Sequence, residues 1–231
     1  MGAQVGAWRG RIRARLTGAE YIDHPPEHKG QRVEIVLAST SPWRRKILED
    51  IGFSVRVVPS HVDEKSVVVE GAEALALELA WRKASAVVGR FEDHWVIGAD
   101  QVVEDGERVY GKPADPTEHR DTLLSMRGRT HTLVTGVAVL SPRGERRIVA
   151  RTRMRVRSDL TPAEIDAYVA TGEGSGCAGG YAAEGLGGML FADIDGEWFN
   201  VLGLPLLGLL DVLRADGWRY GSEGWTVREA R

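Results

Sequence analysis

Hydrophobic and polar positions change their spacing repeatedly along this chain, and each change predicts an element. Val33-Glu-Ile-Val-Leu-Ala38 is short, apolar and β-branched, the pattern of a buried strand. It runs into Ser39-Thr40-Ser41, and Pro42 stands where the first turn of a helix tolerates a missing N–H. From Trp43 to Ile51 the apolar residues Ile47, Leu48 and Ile51 return at helical spacing, with Gly52 as a stop. Ser54–Val58 reads as a second strand. Residues 70–89 give the longest predicted helix, with Leu75, Leu79, Ala86 and Val87 on a core-facing stripe. Trp95-Val-Ile97 is another buried strand, expected to end at Gly98-Ala99-Asp100.

Farther on, Val102–Tyr110 has Asp105-Gly106 at its middle and predicts a hairpin. A helix is expected after Asp115-Pro116. A strand over Thr132–Leu140 is expected to pair with one around 146–157 across Pro142-Arg-Gly144. In the second of these, Arg151, Arg153, Arg155 and Arg157 alternate with Thr152, Met154 and Val156, so period two puts the arginines on one face. A solvated outer face is the simplest account of them. Thr161-Pro-Ala-Glu164 opens a helix with capping-box spacing. From Gly172 to Gly188 there are eight glycines in 17 residues, which reads as an irregular loop. A strand at 189–194 and a Leu-rich helix at 204–214 follow.

Strands and helices alternate without a break in composition, which predicts one α/β domain with a central mixed sheet flanked by helices, over residues 33–216. Residues 1–32 show no sustained period and read as an N-terminal extension; 217–231 read as a tail. The extension carries Arg9, Arg11, Arg13 and Arg15, which gives it a partial likeness to a transit peptide, although it has no Ser. A frayed basic tail, or a start codon set too far upstream, is the simpler account of it.

Net charge narrows the partners. With 30 basic against 33 acidic residues the chain carries −3, so a nucleic acid polymer is not the expected ligand, while a small anion held by a few chosen cations is. No apolar run is long enough to span a membrane. A single cysteine, Cys177, excludes an intramolecular disulfide and a cysteine metal cluster and favours a reducing, cytoplasmic setting.

Three places can carry chemistry. At Ser39-Thr-Ser-Pro42 the free N–H groups and dipole of a helix N-terminus attract phosphate, and Arg44 and Arg45 in the first turn run against that dipole unless an anion is near. Ser before a helix is otherwise simply an N-cap. At Gly98-Ala-Asp100-Gln101 a carboxylate at the end of a buried strand can hold a divalent cation or activate water; it can also be a turn aspartate. The glycine-rich stretch Gly179-Gly-Tyr-Ala-Ala-Glu184-Gly-Leu-Gly-Gly188 permits close backbone approach to a ligand, yet it is neither a P-loop nor a dinucleotide fingerprint. Glu64, Lys83 and Lys112, taken singly, read as surface charges.

Taken in order, Leu37-Ala-Ser-Thr-Ser-Pro-Trp-Arg-Arg45, Val62-Asp-Glu64, Lys83-Ala84, Ile97-Gly-Ala-Asp-Gln-Val102 and Gly111-Lys-Pro113 resemble the Maf family. Gly128-Arg-Thr-His131, Thr135-Gly136, Glu184-Gly-Leu-Gly187 and Asn200-Val-Leu-Gly-Leu-Pro205 continue the likeness, which covers roughly residues 33–215. The resemblance implies a fold like that of the inosine triphosphate pyrophosphatases and hydrolysis of nucleoside triphosphates between the α- and β-phosphates. It further implies a divalent metal, Mg²⁺ or Mn²⁺, and suggests a homodimer. By the same resemblance Asp100 is the proton acceptor, Ser39, Arg44, Arg45, Lys83 and Lys112 bind phosphate, and Glu64 with Asp100 holds the metal.

Substrate choice also follows from the likeness. One branch of the family, selective for dTTP and UTP, carries Arg, Thr and Gln where this chain has Trp43, Gln101 and Glu184. The combination here is similar to the branch acting on 7-methyl-GTP. Methylation makes that guanine cationic, so an indole can stack on it and a carboxylate can accept from its N1–H and N2–H₂ edge. A buried core tryptophan and an ordinary loop carboxylate are the alternatives at those two positions. Two rival functions stay open, a dTTP/UTP-type pyrophosphatase and a nucleotide-binding regulator of septum formation. A DNA-binding role would rest on the Arg151–Arg157 stripe.

Overall fold

The computed structural model describes residues 34–228; the expected extension over 1–32 lies outside the described residues. Strand β1 (Glu34–Leu37) lies between β2 (Ser54–Val57) and β3 (Trp95–Asp105), all three parallel. The sheet continues antiparallel through β5 (Thr130–Ser141), β6 (Gly144–Val156) and β7 (Phe191–Asp195), and β4 (Arg108–Tyr110) folds back on the end of β3. This is the mixed sheet read from the sequence.

Two differences from that reading matter. Strand β3 does not end at Asp100 but runs on to Asp105 before the turn into β4. Its parallel partner β1 is what ends: pairing stops at Leu37 with Ile97, and the last backbone bond runs from Ala38 N to Ile97 O at 2.8 Å. Asp100 therefore stands on an antiparallel-paired strand beside a gap left by its departed parallel neighbour. Secondly, residues after 216, expected to have no period, form the hairpin of β8 (Trp218–Gly221) and β9 (Gly224–Val227). Trp218 is fully buried, with its ring edge-on to Phe53 and Trp95, so this segment belongs to the core.

Helix α2 (Ala72–Val88) lies across one face of the sheet, where Ala80, Ala84 and Val87 meet Val36, Val96 and Ala138. Its approach is unusually close. A Cβ on Gly98 would sit 2.1 Å from Ala80 O, and one on Gly136 would sit 2.4 Å from Ala76 C, so the two central strands carry glycine where the helix backbone rests on them.

The opposite face holds two apolar clusters. Helices α1 (Pro42–Asp50) and α6 (Leu206–Ala215) cover Leu37, Ile97, Ala99 and Val139 with the terminal hairpin. Helices α3 (Pro116–Met126) and α4 (Pro162–Ala170), with the glycine-rich loop, cover Val103, Leu133 and Met154. Asp115 caps α3, and Thr161 with Glu164 forms the expected capping box of α4. The short helix α5 (Trp198–Val201) lies between the two clusters, with Val201 in the second and Phe199 packed on the first. Among the described residues no helix is long and apolar enough to cross a membrane.

Candidate active site

The gap at the end of β1 is where charge converges. Period two along β3 turns Asp100 toward α2, and the close seat of α2 on Gly98 lets Lys83 reach it. Lys83 Nζ lies 2.6 Å from Asp100 Oδ1 and also 2.6 Å from Glu64 Oε1, so one buried ammonium bridges two carboxylates. Glu64 opens a short 3₁₀ turn, Glu64–Ser66, which Asp63 caps through Lys65 N.

Across the gap, α1 begins with Ser41 as N-cap, accepting from Arg44 N at 3.4 Å, and with Pro42 as the next residue. Arg44 then points back into the opening. Its Nε donates to Gly203 O at 2.7 Å, and its Nη1 donates to Ala99 O at 2.8 Å and to Ser39 Oγ at 3.2 Å. Arg44 thus takes the β3 carbonyl that β1 leaves behind. Ser39 Oγ also accepts from Ser41 N at 3.2 Å, so its own hydroxyl hydrogen remains available to an incoming oxyanion.

Proton affinities follow from this placement. Burial pushes the Asp100 carboxyl above its usual range, and the charges of Lys83 and Arg44 only partly oppose it. Burial acts in the same sense on Glu64, but the Lys83 hydrogen bond and the charges of Lys83, Lys112 and Arg44 outweigh it, and Glu64 is held below the usual range. Burial also lowers the hold of Arg44 on its proton, with Asp100 and Glu64 opposing. Lys112, exposed after β4, adds its positive charge to those acting on Glu64. Three cations therefore face two carboxylates in one opening.

The structure brings Ser39, Arg44, Glu64, Lys83, Asp100 and Lys112 into this one neighbourhood. Arg45 is placed differently: it is exposed on α1, and its Nε pairs with Glu49 at 2.7 Å. Trp43 is 38% exposed in the first turn of α1. Gln101 faces away from Lys83, with Nε2 donating to Thr135 Oγ1 at 2.9 Å and to Asn200 O at 2.6 Å. Glu184 is half-buried in the glycine-rich loop; its charge, like that of Lys112, acts on Cys177.

In the glycine-rich stretch, where the sequence allowed close backbone approach to a ligand, side chains of the chain itself take several N–H groups. Glu173 accepts from Gly187 N at 2.8 Å and Leu186 N at 3.2 Å, while Tyr168 Oη accepts from Ala182 N at 3.1 Å. A Cβ on Gly185 would meet Glu173 Oε1 at 2.7 Å, so glycine there makes room for the carboxylate. Three of the four arginines in the stripe are paired on the chain itself: Arg151 with Glu73 and Glu104, Arg153 with Asp195, and Arg157 with Asp159.

Metal fit can be judged from the donors. Among the described residues no group of three or more His, Cys, Asp or Glu side chains is arranged to hold an ion. Glu64 and Asp100 each give one oxygen to Lys83 and keep the other. Two carboxylate oxygens suit Mg²⁺ or Mn²⁺, which take one or two protein carboxylates and complete their shell with water and substrate phosphates.

Against known proteins, the profile of the family described as Maf-like protein matches residues 34–216. The chain is 43% identical over 186 residues to the dTTP/UTP pyrophosphatase of Pelotomaculum thermopropionicum, covering 80% of this chain and 97% of that one. It is 43% identical over 183 residues to the nucleoside triphosphate pyrophosphatase of Synechococcus elongatus, covering 78% and 92%. Identity is 41% over 196 residues to the 7-methyl-GTP pyrophosphatase of Alkalilimnicola ehrlichii, covering 84% and 98%. Among solved structures, the Staphylococcus aureus Ham1 protein matches with a TM-score of 0.39 and 19% identity, over 54% of this chain and 72% of that one.

Proposed function

The chain belongs to the Maf family, and from that premise we propose a nucleoside triphosphate pyrophosphatase whose substrate is 7-methyl-GTP. The observation that carries the chemistry is the Lys83 ammonium held at 2.6 Å from both Asp100 and Glu64, beside the anchored guanidinium of Arg44. Water attacks the α-phosphorus, its proton passes to Asp100, and the bond from that phosphorus to the bridging oxygen breaks. A nucleoside monophosphate and pyrophosphate leave. Asp100 suits the base because burial raises its proton affinity toward working pH. Glu64, held anionic, and Asp100 would be the carboxylates to hold a divalent ion. When bound, that ion neutralises charge on the phosphate oxygens and the departing pyrophosphate. Arg44, Lys83, Lys112 and the Ser39 hydroxyl hold the triphosphate in line, which is most of what such a reaction needs from a protein.

Substrate preference rests on Trp43 and Glu184. An exposed indole one residue before Arg44 offers a face to a cationic base, and Glu184 offers a carboxylate to its donor edge. Gln101 holds the strand at the site from behind rather than reaching for the base. The second reading, dTTP/UTP hydrolysis, is favoured by the names of relatives of slightly higher identity, 43% and 44% against 41%. Pyrophosphate release with Mg²⁺ or Mn²⁺ from 7-methyl-GTP, GTP, dTTP and UTP separates the two. The proposal expects the highest kcat/KM for 7-methyl-GTP; equal or faster turnover of the pyrimidine nucleotides defeats it and leaves the reaction class untouched. Binding without any pyrophosphate release would favour a nucleotide-sensing regulator. A cytoplasmic site of action fits a chain with one cysteine, and sedimentation at micromolar concentration tests the homodimer.

A further inference from the structure

A polar seam runs between the two apolar clusters that share one face of the sheet. It consists of Gln101 on β3, Thr135 on β5, Thr152 on β6 and Asn200 on α5, and the last three are fully buried. Asn200 is its junction. Its Nδ2 donates to Leu133 O at 3.3 Å and to Thr152 Oγ1 at 3.0 Å, and the Thr152 hydroxyl in turn donates to Glu197 O at 3.2 Å. Its backbone oxygen accepts from Gln101 Nε2 and, at 2.9 Å, from Gly203 N. A helix of four residues has no stability of its own, so these side-chain bonds fix α5 and the turn that follows it.

That turn is where the seam meets the site. Gly203 O, three residues from Asn200, accepts the Nε of Arg44 at 2.7 Å. With Nε and Nη1 committed to Gly203, Ala99 and Ser39, the guanidinium keeps Nη2 for a ligand, so its aim depends on where Gly203 O lies. Asn200 Oδ1 has no hydrogen-bond partner among the described residues, a cost that an apolar side chain would avoid if packing were all this position did.

We propose that Asn200 is a positioning residue: it never meets the ligand, yet through Gly203 it sets the direction in which Arg44 presents itself to phosphate. The inference rests on the reading of Arg44 as a phosphate-binding group. Calorimetric binding of inorganic tripolyphosphate tests it without reference to turnover. Asn200→Ser is expected to raise Kd about tenfold, the size of a lost or misaimed charge-assisted contact. In an Arg44→Met background the same substitution is expected to change Kd less than about twofold, because the group it acts through is gone. Thr152→Val, nearly the same shape, removes one acceptor of Asn200 and is expected to act in the same sense, by about threefold, should Asn200→Ser not fold.

Equal losses in the two backgrounds overturn the inference, as does an unchanged Kd in either single variant. A parent protein that binds tripolyphosphate with this coupling but releases no pyrophosphate from nucleotides defeats the enzyme reading alone. A parent that does not bind it defeats both.

Discussion

Two segments of this molecule read in the sequence as places where a ligand can approach the backbone, and they differ in the folded chain. The junction from Ser39 to Arg44 keeps donors open: the Ser39 hydroxyl and the outer edge of Arg44 both face the gap beyond β1. The loop from Gly172 to Gly188 is richer in glycine, yet Glu173 takes the N–H groups of Leu186 and Gly187, and Tyr168 takes that of Ala182. A carboxylate supplied by the chain has filled the place an external anion could take. What separates the two is the location of the nearest anion, not the supply of backbone donors. In the first segment the nearest carboxylates, Glu64 and Asp100, are already bridged by Lys83.

The sharpest way to break the contrast is to remove charge from the open segment's far wall. Asp100→Asn keeps the shape of the side chain and removes the proton acceptor, so kcat/KM for pyrophosphate release is expected to fall about a thousandfold or more with the fold intact by circular dichroism. A rate within tenfold of the parent would move the base to Glu64. The next largest effect concerns stability and belongs to the loop. His131 is buried, its Nε2 lies 2.6 Å from Tyr181 Oη in the loop, and burial pushes it down to about 4 against a small opposing pull from Asp105. The unfolded imidazole takes its proton near the ordinary value of about 6.5, so the stability it contributes is whole above that pH and is lost as pH falls toward 4. The loss amounts to about 3 kcal/mol at most. Urea unfolding at pH 7 and pH 4.5 measures it, and His131→Gln should flatten the difference. An equal slope in the variant would assign the acid sensitivity to another group.

These two outcomes bear on how much the sequence disclosed. Apart from the short α5 and the full length of β3, the order of elements from β1 to α6 was legible because apolar spacing changes sharply at Pro42, Gly52, Pro116 and Pro162, each at or beside an element end. The terminal hairpin was not. Trp218 and Tyr220, then Trp225 and Val227, do alternate, but two repeats on each strand are too few to stand out, and what fixes them is distant. Phe53 stacks on Trp225 at 4.5 Å and meets Trp218 edge-on. Likewise the ordered motifs named Asp100, Lys83 and Glu64, but no spacing reveals that one ammonium joins both carboxylates. That contact exists because Gly98 and Gly136 let α2 sit directly on the sheet. Asn200 lay inside a motif without an evident task, since its partners are a carbonyl on β5 and a hydroxyl on β6.

A smaller effect is expected inside the loop. Glu173→Gln keeps an acceptor for one backbone N–H and turns an amide N–H toward the other, so stability should drop by about 1–2 kcal/mol, read as a lower urea midpoint. Catalysis should suffer less than about tenfold, since the loop carries Glu184 but none of the residues that meet at the end of β1. Loss of tripolyphosphate binding in this variant would instead make the glycine-rich stretch a phosphate site and dissolve the contrast between the segments.

The smallest effect tests the edge of the open segment. Arg45 neighbours Arg44 in sequence but projects from the exposed side of α1, where its Nε lies 2.7 Å from Glu49 in an exposed i,i+4 pair. Such pairs are worth about 0.3–0.5 kcal/mol. If Arg45 keeps to Glu49 when the triphosphate is bound, Arg45→Ala should change kcat/KM by no more than about threefold and the unfolding midpoint hardly at all. Arg44→Ala in the same assay should cost far more, because its guanidinium is already fixed by three acceptors and aimed into the gap. A loss above tenfold for Arg45→Ala, erased by added salt, would show that Arg45 leaves Glu49 for the phosphates on binding. The first turn of α1 would then contribute two arginines to the substrate, and its N-terminus would be charged against its own dipole for that purpose.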